Sequence, residues 1–206
     1  MVQGIEPTVY VVDDDEAVRE SLRALFQSVG MRVKTFASAG EFLDASGLPR
    51  IGCLLLDVRM PELSGLELQV QLASHQSYLP VIMITGYGDV TTAVRAMKAG
   101  ARDFIEKPFN EQLLLERVQA CLEESVFAQQ TLDRLRKRRT QVDQLTPRER
   151  EVLTLTAQGK PSKVIARELG ISAKTVDVHR SRLMEKLEVR SLAELIRLVV
   201  ELERYP

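Results

Sequence analysis

The chain has 206 residues, of which 45% are hydrophobic and 28% are charged, as in a soluble protein with one large or two small domains. No apolar run approaches the roughly 20 residues of a membrane span, and residues 1–7 lack the basic start and apolar core of a signal peptide, so we expect no membrane partner. The two cysteines, Cys53 and Cys121, fit no metal-ligand spacing, which favours a reduced, cytoplasmic protein.

Charge divides the chain into an acidic front and a mildly basic rear. The net charge is −5 over residues 1–122, +1 over 123–145 and +3 over 146–206. This asymmetry indicates two domains with different partners, although a surplus of +3 is by itself weak evidence for nucleic-acid binding. We predict a first domain at residues 1–122, a helical linker at 123–142 and a second domain at 143–206.

Strand and helix patterns alternate five times along the first domain. Strands that alternate with helices form a parallel sheet covered on both faces, so we expect a doubly wound α/β fold. The predicted strands lie at residues 8–12, 32–36, 52–57, 80–85 and 103–106, and the predicted helices at 17–30, 39–45, 66–72, 90–99 and 111–122.

The central strand of this domain ends in an aspartate. An uninterrupted apolar run, typical of a strand buried on both faces, leads directly into Asp57. Open α/β sheets bind their ligands at such strand ends, where this chain also has Asp13, Asp14, Thr85 and Lys107. Taken alone, Asp57 is equally well interpreted as a residue that starts the next turn.

These strand ends carry the groups that phosphoryl transfer needs. Three carboxylates within a few ångströms repel by roughly 4 kcal/mol per pair at an effective dielectric constant of about 20, so they need a cation, and a few oxygen ligands favour Mg²⁺. A carboxylate beside Mg²⁺ can attack a phosphoryl group and hold it as an acyl phosphate. Lys107 and Thr85 supply an ammonium and a hydroxyl for the phosphoryl oxygens.

Four motifs of the first domain resemble the receiver domain of two-component response regulators. They are Asp13-Asp14, Asp57 followed by Met60-Pro61, Thr85-Gly86, and Lys107-Pro108-Phe109. The resemblance covers roughly residues 7–122. It implies a five-stranded sheet in the flavodoxin-like order 2-1-3-4-5, and it implies that a sensor histidine kinase transfers a phosphoryl group to the chain.

The resemblance also implies a metal site around the phosphoacceptor Asp57. Asp14 is expected to ligate Mg²⁺ directly, Asp13 to help through water, and Arg59 to contribute its backbone carbonyl. Asp15, the third acid of its run, is more simply a helix-start residue, because the N-terminal end of a helix favours acids.

The remaining site residues are expected to respond to the phosphoryl group. Thr85 would bond to it, and Lys107 would pair with one of its oxygens and precede a cis bond to Pro108. Phe104 is the aromatic of the switch, although plain core packing explains it too. Arg59 and Tyr87 flank the site and are expected to tune the lifetime of the phosphoryl group.

Two other functions fit parts of the pattern. A Mg²⁺-dependent phosphatase of the haloacid-dehalogenase type also uses a strand-end aspartate, but it needs a second aspartate two residues later, where this chain has Arg59. A phosphate-independent DNA-binding or scaffold protein with a vestigial receiver is disfavoured by the intact set of Asp14, Asp57, Thr85 and Lys107.

Residues 109–142, which include the linker, contain no glycine or proline, and this permits one long helix. A helix frayed into a solvated linker after about residue 126 is the alternative. The basic run at 134–139 is a solvated face or adds contacts to DNA phosphates. A weak heptad seam suggests a short coiled coil through Val118, Cys121, Ser125, Ala128, Leu132, Leu135, Arg139 and Val142.

The second domain is predicted to contain four helices. Thr146 is a good N-cap for the first, Pro147 suits its first position, and Glu149 completes a capping box. The others are predicted at 162–169, 173–187 and 191–202. In the second, Val164, Ile165 and Leu169 are expected to point inward. The fourth has a strongly apolar face formed by Leu192, Leu195, Ile196, Val199 and Val200.

A tight turn at Gly170-Ile171-Ser172 separates the second and third of these helices, as in motifs that place a helix in the DNA major groove. An all-helical interaction module gives a similar pattern. The outward face of the third helix offers groups suited to base edges and phosphates, namely Lys174, Thr175, Asp177, Val178, Arg180, Ser181 and Arg182.

Three runs of the second domain, residues 145–153, 163–172 and 174–180, resemble the LuxR-type DNA-binding domain. With a receiver in front, the chain is similar to NarL/FixJ response regulators, and the acid at Asp177 is closer to the FixJ-like members. The resemblance implies that Lys163 and the third helix contact promoter DNA, and that the protein acts with RNA polymerase and forms a homodimer when phosphorylated. It implies a regulator, not an enzyme. The fourth helix resembles one that dimerises isolated domains, although its apolar face is alternatively core alone.

Overall fold

The computed structural model describes residues 6–45, 51–74, 79–86 and 88–204, and the chain divides into two compact units, residues 1–130 and 131–206. Strands and helices alternate along the described part of the first unit. The strands are β1 (Thr8–Val12), β2 (Arg32–Phe36), β3 (Gly52–Asp57), β4 (Val81–Thr85) and β5 (Asp103–Glu106). The helices are α1 (Glu16–Ser28), α2 (Ala39–Asp44), α3 (Gly65–Ser74), α4 (Val90–Lys98) and α5 (Glu111–Asp143).

The five strands form one parallel sheet in the order β2-β1-β3-β4-β5, which confirms the predicted doubly wound fold. β1 and β3 pair in register, with Thr8 opposite Gly52 and Val12 opposite Leu56. Because the two strands are parallel and end together, the residue after β1 and the last residue of β3 leave the sheet at the same edge.

The side chains of β3 are buried on both faces of the sheet, which is why its sequence is an uninterrupted apolar run. Leu54 and Leu56 join the apolar cluster on one face. Cys53 and Leu55 join the cluster on the other face, which α5 covers with side chains such as Val118. The central strand is therefore a rigid support for the residue that follows its apolar run.

Helix α5 is continuous over 33 residues, which confirms the single long helix and excludes the frayed alternative. Its seam residues Val118, Cys121 and Ser125 are buried within the first unit. The Ser125 hydroxyl accepts a hydrogen bond of 2.9 Å from the backbone N–H of Gly52. These three positions are therefore not available to a coiled coil with a second chain. Cys121 contacts Cys53, and both are free thiols.

The described part of the second unit consists of the end of α5 and four further helices, as predicted. They are α6 (Pro147–Ala157), α7 (Ser162–Leu169), α8 (Ala173–Lys186) and α9 (Leu192–Arg204). Within the part of the chain that the structure describes, none of the helices is long and apolar enough to cross a membrane.

One inward assignment in this unit was wrong. Val164 is 38% exposed, because its neighbour Ile165, about 100° further around the helix, takes the core position. The apolar face of α9 is only partly core. Leu195 is buried, whereas Leu192 and Val200 are 40% and 57% exposed. Helical periodicity identifies an apolar stripe, but it does not fix which edge of the stripe the core covers.

The predicted capping box at the start of α6 is present, and its buried carboxylate also forms an ion pair with a partly exposed lysine. The Thr146 hydroxyl accepts from the N–H of Glu149, and the Glu149 carboxylate accepts from the N–H of Thr146 at 2.9 Å. The same carboxylate accepts a hydrogen bond of 2.7 Å from Lys186 Nζ. Mainly because of this bond, the pKa of Glu149 is lowered to about 2. Glu149 therefore links the start of α6 to the end of α8.

Replacing Glu149 with glutamine keeps a side chain that can complete the cap and removes the charge that pairs with Lys186. Since the folded-state pKa lies below the ordinary value of 4.5, ionised Glu149 stabilises the fold above about pH 4.5, and this contribution is lost as pH falls toward 2. We expect Glu149→Gln to lower the free energy of unfolding by about 1–3 kcal/mol at pH 7. Hydrogen exchange of the α6 and α8 amides in the full chain measures this difference.

The matched control for this substitution is Glu151→Gln on the same helix. Glu151 forms an exposed ion pair with Arg148, so its loss should cost less than about 0.5 kcal/mol. The difference in the free energy of unfolding between Glu149→Gln and the natural chain should shrink as the pH falls from 4.5 to 2. A deficit that stays constant across this range would contradict the assigned role of the buried carboxylate.

Candidate functional site

The charged and hydroxyl groups predicted at the strand ends lie at one edge of the sheet. Asp13 follows β1, Asp57 ends β3, Thr85 ends β4, and Lys107 follows β5. Asp13, Asp57 and Thr85 are buried. These residues come from four different strands, so the topology of the sheet, rather than proximity in sequence, assembles them.

Lys107 binds both buried acids. Its Nζ donates to Asp13 Oδ2 at 2.7 Å and to Asp57 Oδ1 at 2.8 Å. One ammonium thus offsets the repulsion between two carboxylates that burial would otherwise make costly. The sequence predicted that Lys107 would pair with a phosphoryl oxygen, and its contact with both acids in the unphosphorylated chain was not foreseen.

The ionisation of this cluster reflects burial and pairing together. Burial raises the pKa of Asp13, and the hydrogen bond from Lys107 opposes but does not cancel the effect. Burial alone would lower the pKa of Lys107, but its hydrogen bonds to Asp13 and Asp57 raise the pKa above its ordinary value. Lys107 therefore remains a cation at neutral pH, as a partner for phosphoryl oxygens must.

Backbone groups fix the remaining oxygens of the two buried acids. Asp57 Oδ2 accepts from the N–H of Arg59 at 2.7 Å, and Asp13 Oδ1 accepts from the N–H of Asp15 at 2.9 Å. Arg19, which the sequence analysis missed, donates to the backbone carbonyls of Asp13 at 2.8 Å and of Asp14 at 2.9 Å. Its place on the first turn of α1 was the only sequence signal for this role.

A glycine makes room behind the phosphoacceptor candidate. A Cβ added at Gly65 would lie 2.1 Å from the backbone oxygen of Asp57, far inside contact distance. The Gly65 N–H donates to the carbonyl of Val58 at 3.1 Å, which holds the start of α3 against the end of β3. The loop after Asp57 can close this tightly only because residue 65 has no side chain.

The switch candidates lie beside this cluster. The Thr85 carbonyl accepts from the N–H of Lys107 at 2.7 Å, and the bond from Lys107 to Pro108 is cis, as predicted. Phe104 is half-buried and packs against one of the two apolar clusters of the sheet, a position compatible with both interpretations of this ring. Tyr87 lies outside the described residues.

The predicted metal ligands fit a hard cation in donor type, since all are oxygens. Asp13 and Asp57 meet at Lys107, Asp14 is exposed next to Asp13 in the chain, and Asp15 instead caps α1 by accepting from two backbone N–H groups. Among the described residues, no group of three or more His, Cys, Asp or Glu side chains converges closely enough to hold a metal ion. Two carboxylates are thus adjacent, and Asp14 remains the candidate for the third.

In the second unit, α7, the turn at Gly170 and α8 form the predicted helix–turn–helix. Gly170 adopts a left-handed conformation with φ of 65°, and Ser172 caps α8 by accepting from the N–H of Thr175. Val176 and Leu183 face the core. Arg180 is half-buried, and the other candidate DNA contacts are exposed, namely Lys163, Lys174, Thr175, Asp177, Val178, Ser181 and Arg182.

Part of the basic run in α5 is occupied within the second unit. Arg134 pairs with Glu201 at 2.7 Å, and Lys137 pairs with Glu188 at 3.0 Å. These exposed contacts account for two of the five basic residues and weaken the alternative that the whole run serves DNA phosphates.

Comparison with known protein families identifies the class of protein to which this fold and these two sites belong. Residues 9–119 match the response regulator receiver domain, and residues 143–199 match the bacterial regulatory proteins of the luxR family. The chain belongs to the response regulators that carry a LuxR-type DNA-binding domain. It is a DNA-binding response regulator of a two-component system, and this family consists of transcription regulators rather than enzymes.

Several known proteins are similar to this chain over nearly its full length. The transcriptional regulatory protein FixJ of Rhizobium meliloti is 43% identical over 193 residues, covering 94% of this chain and 95% of the relative. The response regulator protein TmoT of Ectopseudomonas mendocina is 43% identical over 198 residues, covering 96% and 90%. The solved structure of the response regulator StyR has a TM-score of 0.85 and 47% identity, and full-length FixJ from B. japonicum has 0.58 and 39%; each match covers 98% of this chain and 100% of the other.

Proposed function

We propose that Asp57 is the phosphoacceptor of this regulator and that its phosphorylation controls DNA binding. The observation that carries the proposal is the double contact of Lys107 with Asp13 and Asp57 at the ends of three strands. A buried carboxylate, a second acid and a fixed cation are together the groups that an acceptor of a phosphoryl group needs.

The phosphoryl group comes from a phosphohistidine of the sensor kinase. An oxygen of Asp57 attacks phosphorus, the P–N bond of the donor breaks, and a new P–O bond leaves an acyl phosphate on the aspartate. Lys107 Nζ then exchanges its contact with Asp57 for one with a phosphoryl oxygen, and the Thr85 hydroxyl bonds to another. Thr85 ends β4, the strand next to that of the acceptor, and Lys107, which follows β5, already contacts Asp57 at 2.8 Å.

Receiver domains generally bind Mg²⁺ where they are phosphorylated. In this chain Asp13, Asp14, Asp57 and the backbone carbonyl of Arg59 would hold it. When bound, Mg²⁺ supplies the positive charge that three clustered acids and a phosphoryl group require. Its absence should therefore prevent phosphorylation while leaving the sheet intact.

Phosphorylation is read out at the face formed by residues 90–99 and 103–107. Thr85 moves toward the phosphoryl group, Phe104 follows it toward the interior, and the face then pairs with a second copy of the chain. Val90, Val94 and Met97 are apolar yet 81%, 45% and 47% exposed, which supports an interface there. The effect is a shift between two populated states.

The dimer sets two α8 helices on neighbouring half-sites of promoter DNA in the cytoplasm. Lys163 and the exposed residues of α8 contact phosphates and base edges, and the bound dimer acts on RNA polymerase. The mildly basic second domain, with a net charge of +3 over residues 146–206, supports an electrostatic share in this binding.

The test treats the full chain with acetyl phosphate and Mg²⁺, then measures its mass by sedimentation and its binding to DNA selected from a random pool. We expect a shift from monomer toward dimer and at least tenfold tighter DNA binding. EDTA during treatment should prevent both changes. The same mass and affinity before and after treatment would instead support a vestigial receiver.

A further inference from the structure

We infer that Ser162 is a positioning residue that sets the base preference of α8, an inference that rests on the proposed groove-reading role of this helix. The Ser162 hydroxyl, at the start of α7, bridges two candidate DNA contacts. It donates to Asp177 Oδ1 at 2.8 Å and accepts from Arg180 Nη1 at 2.9 Å. A hydroxyl on one helix thereby orients an acid and a base on the next.

The direction of this bridge is fixed by chemistry. A guanidinium only donates and an ionised carboxylate only accepts, whereas a serine hydroxyl has one proton to give. Only one arrangement satisfies all three side chains: Arg180 donates to Ser162, and Ser162 donates to Asp177. Both bonds involve an ionised group, which strengthens them relative to neutral hydrogen bonds.

The local sequence leaves Ser162 available for this bridge. Helix α7 has Pro161 as its N-cap, and no side chain caps it. Ser162 is half-buried beside α8, where Asp177 and Arg180 are three residues apart and therefore share one face of the helix. The serine hydroxyl is used between the helices rather than within its own helix.

The bridge makes Asp177 and Arg180 act as a pair in DNA reading. It uses one oxygen of the carboxylate and one nitrogen of the guanidinium, so each side chain retains groups for base edges. A carboxylate suits the amino group of cytosine and a guanidinium suits guanine. Without the bridge both side chains regain rotamer freedom, so discrimination between bases should fall more than affinity for phosphates.

The test compares Ser162→Thr with Ser162→Val in the phosphorylated full chain, because the two side chains have nearly the same shape and only threonine has the hydroxyl. For each variant, the affinity for selected DNA is divided by that for unrelated DNA, and the bases chosen from a random pool are sequenced. We expect the affinity ratio to fall about three- to tenfold for valine, with relaxed choice at one or two base pairs, and to be retained for threonine. Thr154→Ala on α6, which removes an exposed hydroxyl bonded to Arg150, should leave the ratio unchanged.

Two results would overturn the inference. An unchanged ratio and base choice for valine would show that the bridge does not matter for reading. An equal loss on both kinds of DNA, with an unchanged salt dependence, would show that the neutral hydroxyl contacts a phosphate directly. If Lys174→Ala also had no effect on binding, the groove-reading role of α8 would fail instead, so the two failures are distinguishable.

Discussion

Asp57→Asn is expected to abolish labelling of the protein by acetyl phosphate, to below about 1% of the natural level. The amide oxygen of asparagine is a far weaker nucleophile than a carboxylate, so the acyl phosphate cannot form. The fold should survive, because asparagine is close in shape to aspartate and Lys107 retains its contact with Asp13. Incorporation of labelled phosphate per chain measures the effect, and circular dichroism verifies the fold.

Asp15→Asn is the matched control, since it removes one acid from the same edge of the sheet. Asp15 accepts from the backbone N–H groups of Ala17 and Val18 as the N-cap of α1, and asparagine caps helices about as well. This variant should be labelled normally. Labelling of the Asp57 variant to the natural level would mean that another residue accepts the phosphoryl group.

The second large effect is expected from Lys174→Ala in α8. Lys174 is exposed near the start of the proposed recognition helix. Its removal should weaken binding of the phosphorylated protein to selected DNA by about 1–3 kcal/mol if it reads a base. If it contacts a phosphate, the loss should be similar on all DNA and the salt dependence should become shallower by about one charge.

Lys34→Ala is the charge control for this measurement. Lys34 is an exposed residue of β2 in the first unit, so its removal changes the net charge equally without altering α8. Binding should change little. No loss from the α8 substitution at physiological salt would contradict the assignment of this helix to the groove.

Sequence alone predicted the elements and the strand-end residues because both follow from local patterns. β1, β2, β3 and β5 begin and end at the residues predicted from their sequence patterns, and the capping box at Thr146 is a local signal. Once the sheet is known to be parallel, its topology places Asp13 and Asp57 at one edge.

The contacts that were missed depend on how elements cross. The bridge through Ser162 joins residues 15 and 18 positions apart on two helices, and no periodicity encodes that distance. The contact of Lys107 with both acids likewise joins residues far apart in the chain. Val164 was placed wrongly because neighbouring apolar residues on a helix compete for one core position. Sequence pattern predicts which residues lie on each face of a helix or strand, whereas the packing of the elements decides which residues these contact.

Chemical location of the phosphoryl group tests the central claim most directly. Borohydride reduces an aspartyl phosphate to homoserine, and mass spectrometry of the resulting peptides identifies the converted residue. After treatment with acetyl phosphate and Mg²⁺, we predict conversion at Asp57 and at no other acid. Conversion at Asp13 or Asp14, or no conversion in a preparation whose DNA binding has been activated, would contradict the account.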